Sequence, residues 1–346
     1  MCPRRRPHSC CGAVGKRNRD GRLLTYDGKP ERCLLHMAGD CLALPRLVIL
    51  YMNQALTALT EINLDDLTAS VGAQDRPRLA SALRRVFHAP ALKFAHQMLD
   101  FDRAAGNGNL PGAARRALRS YVRDVRLFGR ENLPASAPVI VLANHPGLSD
   151  TLCLFAAINR ADLRIIAMDR PFLRALPNVS DRLFYVGEEA AHRMGAVRRT
   201  SAHLRAGGSV MTFPAGEIEP DPAVYEGGLE SLSTWTDSAG VFLRFEPRAV
   251  IVPALVRNVV WKSAARHPLT WLRKTRAERE RFAAALQLTA HLLFEVRPVV
   301  VSVQFAAPVT LEEVGSTALD AIHTKVLERM RGLIENPPQG EGESAL

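Results

Sequence analysis

Long apolar runs are what this chain most plainly lacks. A helix that spans a bilayer needs about 18 or more apolar residues in succession, and none of the 346 residues begins such a run. The best stretch near the start, "LALPRLVILYM" at 42–52, is short and broken by Pro45 and Arg46, which also rules it out as a secretory signal. Cysteine is scarce beyond the leader. Cys2, Cys10, Cys11, Cys33 and Cys41 lie within it, and only Cys153 follows. There is no C-x-x-C pair, and Cys10-Cys11 with His8 and His36 lacks zinc-ligand spacing. H-E-x-x-H and a Walker loop are missing, and neither "GLSDT" (147–151) nor "GGSVM" (207–211) completes G-x-S-x-G. These absences remove the metalloprotease, P-loop and serine-hydrolase readings. No metal or organic cofactor is implied.

Positive charge is plentiful but uneven. Residues 1–50 hold ten Lys and Arg against four acids, so +6 of the net +10 sits there. The remainder is only mildly basic. A nucleic-acid partner is therefore not indicated, whereas anionic lipid or phosphorylated substrates remain compatible. Residues 1–52 read as a basic, Cys-rich, disordered leader on a cytoplasmic chain. Met37 and Met52 stand as alternative starts.

From 53 to 128 apolar residues recur at three- and four-residue intervals, which predicts helices. From about 138 short β-branched strands alternate with helices: 138–143, 163–168, 182–186, 209–213, 249–256 and 299–305, with helices near 149–159, 196–206, 229–243, 276–292 and 316–333. Continuously apolar strands predict a sheet covered on both faces. The expected fold is α/β, a sheet with flanking helices over 129–335, preceded by the helical segment and followed by a disordered tail at 336–346.

The chemistry gathers at "VIVLANHPGLSDTLCLF" (139–155). The strand delivers Asn144 and His145 to its carboxyl edge, where open α/β sheets place ligands. Pro146-Gly147 turns the chain, and Asp150 follows His145 by five residues. Folded back, the carboxylate would fix one imidazole tautomer and leave the other nitrogen as a base. A His–Asp pair with no protein nucleophile suits activation of a substrate hydroxyl. The same residues would equally serve as a turn and a helix N-terminal acid. A second strand ends in "TFPAGEIEPDP" (212–222), and Pro253 lies inside a third strand, where proline is tolerated only at an edge or bulge.

N-H-x-x-x-x-D, F-P-x-G and a later apolar-apolar-Pro, in this order, resemble the glycerolipid acyltransferase family, in particular a divergent bacterial type of 1-acylglycerol-3-phosphate acyltransferase. The resemblance spans about residues 120–310. It implies a mixed sheet with flanking helices and transfer of a fatty acyl group from acyl-CoA or acyl carrier protein to a hydroxyl of a glycerol phosphate, lysophospholipid or related lipid alcohol. His145 would be the general base and Asp150 its orienting partner. Asn144, Gly147, Phe213, Pro214, Gly216, Glu217 and Pro253 would contact substrate. The usual F-P-E-G-T-R reads F-P-A-G-E-I here, so the motif acid is gone at Ala215 and Glu217 stands as its replacement. That change weakens the case for a glycerol 3-phosphate headgroup and leaves other lipid alcohols open. The family's Arg after an apolar strand is replaced by Gly187 and two acids, which leaves Arg193, Arg198 and Arg199 as candidates for an anionic ligand. A lipid-binding protein without turnover and an acyl-CoA thioesterase are the alternatives.

Lipid substrates imply contact with a membrane surface. "WKSAARHPLTWLRKTRAERERFAAALQL" (261–288) mixes Trp261, Leu269, Trp271 and Leu272 with Arg and Lys. Such a stretch lies in the headgroup region or forms a solvated basic helix. Helices within 53–128 offer a second docking surface.

Overall fold

The computed structural model describes residues 43–73, 75–187 and 189–346, with side chains from Asn53 onward apart from that of Ala190. The leader expectation for residues 1–42 lies outside the described residues. The chain divides into two compact units, 1–54 and 55–346, and the sheet belongs to the second.

Three helices lead into the sheet: α1 (Ala43–Ser70), α2 (Pro77–Gly106) and α3 (Leu110–Tyr121). The first strand, β1 (Asp124–Phe128), comes within the segment expected to be helical. Val125 and Leu127 alternate with Asp124 and Arg126, and that period of two is a strand's. The order continues with β2 (Val139–Ala143), α4 (Asp150–Ile158), β3 (Arg164–Met168), β4 (Leu183–Val186), α5 (Ala190–Arg205), β5 (Ser209–Thr212) and α6 (Ser238–Phe245). It ends with β6 (Val250–Arg257), α7 (Arg276–Phe294), β7 (Val300–Phe305), α8 (Leu319–Glu335) and β8 (Glu343–Ser344). The helix expected at 229–243 is instead a 3-10 turn (Glu230–Thr234) followed by α6.

The eight strands form one mixed sheet in the order β4-β3-β5-β2-β6-β7-β1-β8. Strand β6 runs parallel to β2 and antiparallel to β7. Both faces are covered, as the continuous apolar runs predicted. Val139, Val141 and Ala143 of β2 face α2, α3 and α4, while Ile140 and Leu142 face α6 and α8. Met98 and Phe101 of α2 and Leu118 of α3 join the same cluster as Val141. The helical segment is therefore a layer of this core. Each fully buried aliphatic such as Leu154 or Ile140 contributes about 1.5–3 kcal/mol.

The tail is a second correction. Glu343 and Ser344 pair antiparallel with β1, the Ala345 N–H donates to the Val125 carbonyl at 2.9 Å, and Leu346 packs on the core. The composition of 336–346 is polar, but β1 would otherwise present an open edge, and this segment caps it.

Pro253 is placed where the ladder can spare its N–H. Ala254 pairs with Phe305, whereas Ile251 bridges Val309. One extra residue on the second strand makes a bulge, and Pro253 lies opposite it.

Candidate active site

The end of β2 is held to its neighbour by a side chain. Asn144 Nδ2 donates to the Val256 carbonyl at 3.0 Å, and the Val256 N–H donates to Asn144 Oδ1 at 2.7 Å. Asn144 is 4% exposed, and its amide acts as one more rung between β2 and β6. It does not line the cavity beside His145.

The next residue is the histidine of the motif. His145 Nδ1 lies 2.7 Å from Asp150 Oδ2. Gly147 (φ 86°) and Leu148 (φ 55°) are both left-handed, and this tight reversal brings the first residue of α4 back beneath the imidazole. Leu148 is the unusual member, because a bulky side chain in that region is strained. Asp150 is fully buried and well supplied with donors. The Gly147 N–H reaches Oδ2 at 2.7 Å, the Thr151 hydroxyl reaches Oδ1 at 3.0 Å, and the Thr151 N–H also binds Oδ1. A carboxylate only accepts, so Nδ1 carries a proton, and in the neutral ring Nε2 is the free lone pair.

Two further groups fix the imidazole. Its ring stacks on Phe213 with centroids 4.1 Å apart and 18° between planes. Its main chain is tied to Glu219, which receives the His145 N–H on Oε2 at 3.0 Å and returns its own N–H to the His145 carbonyl at 2.8 Å. Glu219 is 3% exposed, and its Oε1 also accepts from Trp235 Nε1 and Ser231 Oγ. Burial lowers the affinity of the His145 imidazole for a proton, but Asp150 and then Glu219 outweigh it, so the pKa is raised from its ordinary value. Burial pushes the Glu219 carboxyl up, against the pull of its donors.

Asp221, two residues on, ties down the far wall. Its Oδ2 accepts the N–H groups of Val259 and Val260 at 2.8 and 3.1 Å, and its Oδ1 those of Asn258 and Ala223. Beyond that turn the Trp261 N–H donates to Gln287 Oε1 at 2.8 Å, which links the wall to α7.

His145 opens onto a cavity of about 640 Å³ between the sheet, α2, α4 and α7. Its walls are mostly apolar, with Phe94, Phe101, Phe155, Phe172 and Leu176 among them. Of the expected contacts, Phe213, Pro214 and Gly216 line it. Gly147, Glu217, Pro253, Arg193 and Arg198 lie outside the lining. Gly147 instead makes the turn, Glu217 is exposed, and the two arginines lie on an exposed face of α5. Among the described residues Arg170, shortly after β3, is the one Lys or Arg that lines the cavity. Sequence reasoning passed over both Arg170 and the hold of Glu219 on His145. The available signals were the strand end "IIAMDR" and the alternation of exposed Glu217 with buried Glu219.

Cys153, one turn into α4, is fully buried, and burial pushes its thiol pKa upward. It is no nucleophile. Among the described residues no cluster of His, Cys, Asp and Glu could hold a metal ion, and no helix is long and apolar enough to cross a membrane.

Comparison with known proteins agrees with the motifs. Residues 124–257 match the family model described as Acyltransferase. No curated protein matches. One solved structure, the 1-acyl-sn-glycerophosphate (LPA) acyltransferase PlsC from Thermotoga maritima, aligns over 84% of this chain and 97% of its own, at 17% identity and a TM-score of 0.38. At that level the likeness does not bear on function. The family match spans β1 through β6 and the turns that hold His145, Asp150 and Glu219.

Proposed function

We propose that this domain transfers a fatty acyl group from acyl-CoA or acyl carrier protein to a hydroxyl of a glycerol phosphate, lysophospholipid or related lipid alcohol, with His145 as general base. The observation that carries this reading is the imidazole at the mouth of an apolar cavity, with Nδ1 committed to Asp150, which leaves Nε2 as the base of the neutral ring. The acceptor hydroxyl hydrogen-bonds to Nε2 and loses its proton there as its oxygen attacks the thioester carbonyl. Asp150 stabilises the imidazolium that forms. Collapse of the tetrahedral intermediate breaks the C–S bond, and the departing thiolate takes the proton back from His145. No covalent enzyme intermediate is needed, in keeping with the inert Cys153.

The cavity suits the acyl chain, since Phe155 and Phe172 offer it contact without polar groups to satisfy. Arg170 is positioned for an anionic group of donor or acceptor. The F-P-A-G-E departure leaves the His–Asp geometry whole, because Ala215 is a neutral lining residue and the acid that holds His145 is Glu219. The work of such an enzyme is at a membrane surface, as a peripheral protein.

The test is acyl transfer by the purified chain from acyl-CoA and from acyl carrier protein. Acceptors would be lysophosphatidic acid, glycerol 3-phosphate and neutral lipid alcohols, with His145→Ala alongside. The variant is expected to lose about 10²–10⁴-fold in rate while keeping the wild-type fold by circular dichroism. Equal rates in the variant would remove His145 as base. Free fatty acid without acceptor would indicate a thioesterase, and acyl-CoA binding without turnover a lipid-binding protein.

A further inference from the structure

The 3-10 turn Pro268–Leu272 inverts the usual order of inside and outside. Thr270 is 1% exposed, while Trp271 and Leu272 on its C-terminal side are 76% and 75% exposed. Leu269, on the other side, is 45% exposed. This is no loose loop. The Thr270 N–H and hydroxyl both donate to the His267 carbonyl, at 2.9 and 2.7 Å, and the Arg273 N–H donates to the Thr270 carbonyl at 3.0 Å. The Arg273 guanidinium lies 4.9 Å over the Phe282 ring and bonds the Val71 carbonyl. The tip is thus clamped with its polar residue inward and its apolar residues in water.

The sequence flanking it is predominantly basic. Between 262 and 281 there are seven Lys and Arg, and Glu278 and Glu280 are the only acids. Both acids are engaged, Glu278 in capping α7 and Glu280 with Arg276. Lys262, Arg266, Lys274 and Arg279 are exposed around the tip. The same stretch begins at Trp261, and α7 continues to Leu288, both in the cavity wall.

We propose that the Pro268–Leu272 tip docks on an anionic lipid surface, with Trp271 and Leu272 entering the interface and the flanking Lys and Arg on lipid phosphates. Docking there sets a wall of the acyl cavity beside the membrane. The purpose of the tip rests on the acyl-transfer reading, but its test does not.

The full chain would be sedimented with vesicles of phosphatidylcholine alone and of phosphatidylcholine mixed with phosphatidylglycerol. Wild type is expected to pellet with the mixed vesicles and far less with the neutral ones. Trp271→Ser with Leu272→Ser should lower the binding constant about tenfold or more, and Lys262→Glu with Lys274→Glu should abolish the preference for the mixed vesicles. These positions are exposed, and circular dichroism checks the fold. Acyl transfer to a soluble short-chain acceptor without vesicles should be unchanged in both variants, and because sedimentation needs no turnover, a chain inactive as an enzyme still reports on docking. Undiminished binding by the Trp271/Leu272 variant would overturn the proposal, as would wild type left in the supernatant with both vesicles. So would a wild-type dimer that this variant converts to monomer, since the tip's occupant would then be a second copy.

Discussion

Glu219 and His145 exchange hydrogen bonds across 74 residues of chain: the His145 N–H donates to the Glu219 carboxylate, and the Glu219 N–H donates to the His145 carbonyl. The imidazole is therefore aimed from behind by the loop after β5, as well as from below by Asp150. Replacing Glu219 with Gln places an amide N–H against at least one donor that the carboxylate satisfied. The expected loss is about 1–3 kcal/mol of stability, read by urea unfolding, with a fall in kcat. Unchanged stability and rate would show that this acid does not hold the base.

The raised pKa of His145 sets the direction of a pH profile. With His145 as the proposed base, turnover needs the neutral ring, so kcat/KM should rise through an alkaline-shifted limb, above the ordinary histidine value of about 6.5. Asp150 and Glu219 hold the proton on against burial, and Glu219→Gln should move the limb to lower pH. Stability runs the other way. A histidine whose folded pKa is raised contributes stability below its unfolded pKa and loses it as pH climbs through the folded value. A limb in Glu219→Gln at the wild-type position would contradict the assignment of Glu219 as a contributor.

Asn144 acts on the fold more than on substrate. Asn144→Ala leaves the Val256 N–H and carbonyl without partners inside the sheet, at a cost of about 2–5 kcal/mol. Differential scanning calorimetry would show the loss. The variant that remains folded should keep a KM near wild type, which a substrate-contacting asparagine would not.

The cavity wall offers a probe of what fills it. Ala167 on β3 lines the cavity and packs on the core around Phe155. Ala167→Phe should reduce transfer from long-chain donors by about tenfold or more relative to short-chain donors, on the scale of about 0.8 kcal/mol for each methylene shut out. A uniform fall across chain lengths would place the acyl chain elsewhere.

Much of the fold and half of the site were legible in the chain itself. The six strands from Val139 to Phe305 announce themselves by β-branched runs, and His145 with Asp150 by their placement at a strand end. What stayed hidden was hidden for physical reasons. The β1 segment comes directly after α3, and in "YVRDVRLF" apolar residues satisfy three-residue and two-residue spacing together, so only pairing with β7 decides. Polar composition at 336–346 says nothing of a vacant sheet edge. Asn144 looks like a substrate-facing group by type and Glu219 carries no local signal of its role, because their partners, Val256 and the His145 main chain, are long-range. Arg193 and Arg198 were plausible by charge alone, yet they fall on the exposed side of α5.

The two buried acids after the Phe-Pro turn act as a pair. Glu219 grips the residue that would take the proton, and Asp221 grips the Val259–Val260 backbone that leads into Trp261. Only Pro220 separates them, and its ring fixes the backbone angle between the two grips. His145 and the Trp261 wall thus share a three-residue gauge, and adding or removing a residue there would shift one relative to the other. Drift in the loop's outer part, where Gly216, Glu217 and Ile218 are exposed, leaves that gauge untouched. Exposed and anchoring residues thus occupy adjacent stretches of one turn.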